Sequence, residues 1–136
     1  MSAALTPNEQ VIRGFFDSYN AFDANEMRKY LADDIQWIHQ GAIELSGTYS
    51  GIEAVIEDFI KPGWDLYESG TLKLELVRTI DDGTSIAVEF VAAGIAKATG
   101  RKYHSPYAFF IDIADAKIKL LREYVDTTHA QKVLFG

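Results

Sequence analysis

KYHSPYAFFIDIADAKIKLLREYVDTTHA, residues 102–130, is the stretch from which the rest of the chain can be read. It predicts two long strands joined by a tight turn at Ala114-Asp115-Ala116-Lys117. The first strand is aromatic and apolar on both faces. The second sets Arg122, Glu123 and Asp126 among Leu, Tyr and Val. A charge inside a core-like strand is costly to bury, so each of these needs a partner or a chemical role.

Working back from this pair, Ser85 to Ala96 is apolar on both faces apart from Glu89 and reads as a central strand. Thr71 to Thr79 alternates Leu72, Leu74 and Leu76 with Thr71, Lys73 and Glu75, the pattern of a half-buried strand. Asp81-Asp82-Gly83 between them is a hairpin turn. The segment Lys61–Gly70, with Pro62, Gly63 and Gly70, is the longest irregular one and a candidate pocket rim or lid.

The first 62 residues read as three capped amphipathic helices. Thr6-Pro7-Asn8-Glu9 is a capping box with Pro in the first turn, followed by Val11, Ile12, Phe15, Phe16 and Tyr19 on one face. Asp23 with Glu26 opens the second helix. Ser50 with Glu53 opens a third that carries Ile52, Val55, Ile56, Phe59 and Ile60 and stops at Pro62-Gly63. Between the second and third, Asp34–Gly41 reads as a short strand with Ile35, Trp37 and His39 on its core-directed face. The expectation is an α+β domain spanning residues 1–136, an antiparallel sheet of four long strands and one short one with the helices on one face. The other sheet face, also apolar, predicts a second copy as its cover.

With 48% apolar residues in 136, the chain can fill one core. A formal net charge of −7 without any basic run argues against nucleic acid or an anionic membrane as partner. There is no cysteine, which excludes disulfides and thiolate metal sites. MSAALTPNEQ has no basic-then-apolar leader pattern, and no apolar run reaches the roughly 18 residues of a membrane span, so a cytoplasmic domain is expected. His39, His104 and His129 lack close ligand spacing, and there is no phosphate loop or nucleophile elbow. No metal and no cofactor are expected.

Taken as an ordered set, the helical start, ADDIQWIHQG, SGTYSGIEAVIEDF and KIKLLREYVDT resemble the nuclear transport factor 2-like superfamily, and within it the SnoaL-like, ketosteroid-isomerase-related proteins. The resemblance covers essentially the whole chain. It implies a cone-shaped curved antiparallel sheet packed on three N-terminal helices around a pocket, and a homodimer through the outer sheet face. It does not by itself imply one activity, since such folds carry several chemistries. Ketosteroid isomerases place a Tyr and two Asp where this chain has Phe15, His39 and Ala108, so their oxyanion-hole donors are missing. Limonene-epoxide hydrolases place charged and polar groups where it has Phe90, Ala92, Glu123, Trp37 and His39, and only Glu123 corresponds. An acid–base set of His39 and Glu123, assisted by Tyr49 and His104, could imitate the polyketide cyclases.

The resemblance favours Glu123 pointing inward, where an apolar pocket would raise its pKa toward neutrality and suit it to general acid or base work. Trp37, Tyr107, Phe15, Phe90 and Tyr19 are the candidate ligand-binding residues, for a small apolar organic molecule. The structural alternatives stay open at this stage: Glu123 paired with Arg101 or Arg122, and His39 satisfied locally by backbone. Asp126, before Thr127-Thr128, reads as a helix cap. A non-catalytic ligand-binding or dimerisation module is the alternative to an isomerase, cyclase or dehydratase.

Overall fold

A computed structural model describes residues 4–136; the first three residues of MSAALTPNEQ, the stretch read above for a leader pattern, lie outside the described part. Helix α1 spans Pro7–Asn20 and begins with the expected capping box: Thr6 Oγ1 accepts the Glu9 N–H at 3.1 Å while Glu9 Oε1 accepts the Thr6 N–H at 3.0 Å. Val11, Ile12, Phe15 and Phe16 form its buried stripe. The second helix is short, α2 at Ala24–Met27 with a 3-10 turn at Arg28–Tyr30, and buries only Met27. Asp23 caps it by accepting the Glu26 N–H.

Strand β1 starts earlier than expected, at Leu31, and runs to His39, with Ile35, Trp37 and His39 buried on one face. The third helix departs from its sequence reading. Ser50 belongs to a strand that the reading missed, β2 at Gly47–Ser50, antiparallel to the end of β1. The proposed Ser50–Glu53 cap therefore does not form, and Glu53 instead pairs with Arg28. The apolar residues are placed as expected: Val55, Ile56, Phe59 and Ile60 are buried on a π-helical segment, Ala54–Ile60, that runs into α3 at Lys61–Trp64. Four of the ten residues of the predicted irregular rim, Lys61–Trp64, are thus helical.

The remaining strands are β3 (Lys73–Asp81), β4 (Ser85–Ile95), β5 (Lys102–Ala114) and β6 (Lys117–Val125), followed by α4 (Thr127–Ala130) and a π-helical turn, Gln131–Phe135. Asp126 caps α4 by accepting the His129 N–H. All six strands form one sheet in the order β2-β1-β6-β5-β4-β3. Every neighbour is antiparallel except β1 and β6, which run parallel. This corrects the expectation of a wholly antiparallel sheet. The chain must cross the whole sheet between β1 and β6, and alternation along each strand carries no sign of that closure.

The tight turn between β5 and β6 sits where the sequence placed it. Asp115 and Ala116 both have positive φ, 54° and 59°, the conformation whose twist matches that of the flanking strands. On β4, Gly94 lets the chain pass close to Tyr67: an added Cβ would meet Tyr67 Cδ1 at 2.7 Å and the Leu72 backbone at 3.1 Å. Helix α1 packs on the inner sheet face through Phe16, whose ring stands edge-on to Phe90 at 5.2 Å and to Phe109 at 6.2 Å. Burying each such ring stabilises the fold by roughly 2–3 kcal/mol. Asn20, at the end of α1, stands in for a neighbouring strand at the sheet edge. Its amide donates to the Leu74 carbonyl at 2.9 Å and accepts the Leu74 N–H at 2.8 Å.

Candidate functional site

Three structural choices bring the site together. On β6, Leu121 and Glu123 point inward while Arg122 and Tyr124 point out. The parallel pairing sets His39 beside Glu123 and Trp37 beside Leu121. Phe59 then closes over both, its ring 5.2 Å from Trp37 and 5.8 Å from His39.

Glu123 is 6% exposed. Its Oε1 accepts a hydrogen bond from Trp37 Nε1 at 2.9 Å, and its Oε2 lies 3.6 Å from His39 Nε2, beyond hydrogen-bond range. Neither Arg101 nor Arg122 reaches it, since both are exposed. The structural-ion-pair alternative is therefore not what the fold builds. Burial pushes the Glu123 carboxyl up to about 7, and only the Trp37 N–H works against that rise. Burial acts on His39 in the opposite direction, lowering its pKa by disfavouring the imidazolium. His39 Nδ1 is held by Ser46 Oγ at 3.2 Å, so its Nε2 edge is the one presented to Glu123.

Glu123 and His39 open onto one cavity of about 70 Å³, shared with Tyr19, Trp37, Phe90 and Tyr107. Phe59, Tyr67 and Phe109 add ring walls, and Leu134 and Phe135 close one end. Gly63 and Leu66 border it, so the Lys61–Gly70 segment does form part of the rim. Tyr107 stacks on Phe90 at 5.1 Å, and its hydroxyl lies 2.9 Å from that of Tyr103. Desolvation, aided by the nearby Glu123, pushes the Tyr19 and Tyr107 hydroxyls well above the usual phenol range, so they stay protonated.

Not every sequence candidate reaches this cavity. His104 is exposed, because alternation along β5 turns it away from Tyr103 and Ser105; its carbonyl meets His129 Nε2 at 3.2 Å. Tyr49 stands behind Phe59, rings 4.8 Å apart, and donates its hydroxyl to the Leu45 carbonyl. Phe15 is fully buried behind Trp37, 5.9 Å from its ring. One helical turn further along α1 it is Tyr19 that lines the cavity. Sequence reasoning did not single out Ser46, Phe59, Tyr67 or Phe109 for the site. Only Phe109 had a usable signal, since it shares a strand face with Tyr107.

Among the described residues no helix is long and apolar enough to cross a membrane. Residues 12–121 match the SnoaL-like domain family. No curated protein matches the chain. Among solved structures, an NTF2-like protein of unknown function from Burkholderia pseudomallei K96243 superposes with a TM-score of 0.86 at 18% identity, covering 97% of this chain and 100% of its own. TerC co-crystallised with polyporic acid superposes at 0.84 with 18% identity, covering 96% and 100%. A protein of ketosteroid isomerase-like fold from Catenulispora acidiphila DSM 44928, in complex with trimethylamine, superposes at 0.78 with 13% identity, covering 93% and 92%. At these identities the structural matches establish the fold, and the domain match over most of the length establishes the family: the chain belongs to the SnoaL-like domain family, with an NTF2-like fold.

Proposed function

We propose that this protein is an enzyme that moves protons on a small, largely apolar organic molecule held in the cavity, with Glu123 as the acid–base group and His39 beside it. One observation carries the reading: a buried carboxyl in the cavity wall with one oxygen fixed by Trp37 and the other free of a hydrogen bond, raised by burial toward neutral pH. A group with that pKa is both available as a base and strong enough as an acid at pH 7. Oε2 can take a proton from one atom of the substrate and return it to another, which is isomerisation. If a hydroxyl leaves with the returned proton, the same steps are a dehydration. The tyrosine hydroxyls, held protonated, are donors for a substrate oxygen.

The size of the cavity narrows the choice. A dry cavity of about 150 Å³ accommodates benzene, so at about 70 Å³ this one takes a small aliphatic molecule. A ring-sized substrate requires Leu134 and Phe135, or the Lys61–Gly70 rim, to give way. That structural relatives hold polyporic acid and trimethylamine supports a small organic ligand without choosing between these sizes. The alternative is a binding module of the same fold.

Deuterium incorporation into small enolisable carbonyl compounds, neutral and amine-bearing, followed by NMR in D₂O at neutral pD, separates the two readings. Exchange faster than buffer, reduced at least about 100-fold in Glu123→Gln, is the expected result. Binding without exchange in the wild type would assign the chain to the binding module.

We also propose that two copies pair through the outer sheet face. Ile80, Phe110 and Tyr124 are exposed there at 59%, 52% and 42%, around a shallow hollow shared with Ala87 and Ala108. Side chains of this size left in water are a liability that a second copy removes. Phe110→Glu is expected to halve the mass observed in sedimentation; a wild type that stays monomeric at about 100 μM, where a stable interface of standard size would hold together, would dispose of the idea.

A further inference from the structure

We infer that the molecule this cavity accepts carries a compact ammonium group, with Glu123 as its counter-anion and the ring walls as its bed. The inference rests on the cavity being the ligand site, as proposed above, and adds the charge of the ligand. A carboxyl in a buried, ring-lined space is expensive to ionise unless a cation shares the space. Among the described residues no Lys or Arg lines the cavity, so the protein supplies no fixed positive charge. His39 does not fill the role, because the same burial that raises Glu123 disfavours the imidazolium.

Two features favour an ammonium ion over a neutral molecule. Tyr19, Trp37, Phe59, Tyr67, Phe90 and Tyr107 line the cavity with the carboxyl, and aromatic walls stabilise a desolvated cation far more than a neutral alkyl group of the same size. Trp37 engages Oε1 alone, which leaves Oε2 as an acceptor for an N–H donor or as the contact for a methylated ammonium. The volume, about 70 Å³, suits a head of a few heavy atoms and excludes a bulky one. If the amine arrives neutral, the proton it gains is the one Glu123 carries, so the pair forms by a single transfer from oxygen to nitrogen without any added reagent.

Binding is therefore coupled to ionisation of Glu123. The titratable groups around that carboxyl are His39 on β1, Tyr107 on β5, Tyr19 on α1 and Tyr67 in the cavity wall, with Tyr103 on β5 and Tyr49 behind Phe59 further off. The tyrosines stay neutral throughout the accessible range. His39 is neutral at pH 8, and any protonation on acidification opposes the cation in the same sense as protonation of Glu123.

The test is calorimetric titration of the full chain with the methylammonium ions, mono- to tetramethylated, against acetone and tert-butanol as neutral molecules of similar size. At pH 8 the best ammonium ion is expected to bind at least about tenfold tighter than either neutral molecule, a difference of the size that one cation in an aromatic site supplies. Its affinity should fall at pH 6, with protons released on binding in proportion to the protonated fraction of Glu123. Glu123→Gln should bring cation and neutral molecule within about threefold of each other. The wild-type comparison stands even if that variant fails to fold. Neutral molecules binding as tightly as ammonium ions would overturn this inference and leave the proton-transfer reading intact. No binding by either class would overturn both.

Discussion

Replacing Glu123 with Gln is expected to abolish proton transfer while making the fold less sensitive to alkali. The first effect follows from removing the one carboxyl in the cavity while keeping its shape and an acceptor for Trp37 Nε1. The second follows from linkage. Burial raises the carboxyl from its ordinary 4.5 to about 7, so between those pH values the native state binds more protons than the unfolded chain. Stability attributable to Glu123 is then fully present below about pH 4.5 and is lost as pH rises through 7. A shift of that size corresponds to about 2–3 kcal/mol lost between pH 5 and pH 8. His39 contributes with the opposite sign: its lowered pKa costs stability as pH falls below its ordinary 6.5. Because His39 is present in both proteins, the difference between wild type and variant isolates Glu123. Urea denaturation at pH 5 and pH 8 should show the wild type losing about 2–3 kcal/mol relative to Glu123→Gln. Parallel pH profiles would mean that Glu123 does not sit in the desolvated environment on which the mechanism depends.

The second large effect is at Trp37, where packing and electrostatics separate. Trp37 is 2% exposed and meets Phe15, Phe59 and Phe109 at ring distances of 5.9, 5.2 and 5.4 Å. Trp37→Ala should cost about 3–5 kcal/mol, the range for deleting a buried aromatic side chain. Trp37→Phe keeps much of the ring contact and deletes the N–H that holds Glu123 Oε1. That N–H is the one interaction lowering the Glu123 pKa, so its loss should raise the midpoint above about 7. A hydrogen bond to a charged group contributes about 1.5–3 kcal/mol, which corresponds to an upward shift of roughly 1–2 pH units. A carboxyl-carbon NMR titration of the two proteins reads the shift directly. An unmoved midpoint in Trp37→Phe would show that the indole N–H does not tune the acid, and the optimum pH of exchange should then stay where it is in the wild type.

What the residues themselves disclosed was mostly local. The capping box at Thr6 and Glu9, the stripe on α1, the hairpin turn at Asp115-Ala116 and the cap at Asp126 all depend on neighbours within a few positions. Alternation along β6 separates Glu123 from Arg122, and the family resemblance selected the Glu123 side as inward; the structure agrees. The same rule applied along β5 turns His104 outward, since Tyr103 and Ser105 on either side of it are buried. The sequence reading missed β2 because SGTYSG carries both a capping pattern and a short alternation, and only pairing with β1 decides between them.

Sequence alone determined that this chain would bury an aromatic core, expose an acidic surface and set one carboxylate against an apolar strand face. Such outcomes follow from side-chain transfer energies and from the periods of helix and strand. The tertiary structure decided what surrounds that carboxylate. The parallel pairing of β1 with β6 places His39 beside Glu123 although 84 positions separate them in the chain. Phe59 and Tyr19 line the space from two different helical segments, and Leu134 and Phe135 line it from the C-terminal turn. None of these contacts leaves a periodic trace, because each depends on which elements lie next to one another after the chain has closed. Desolvation, which favours the uncharged form of both groups, is a property of that enclosure and of no single residue in it.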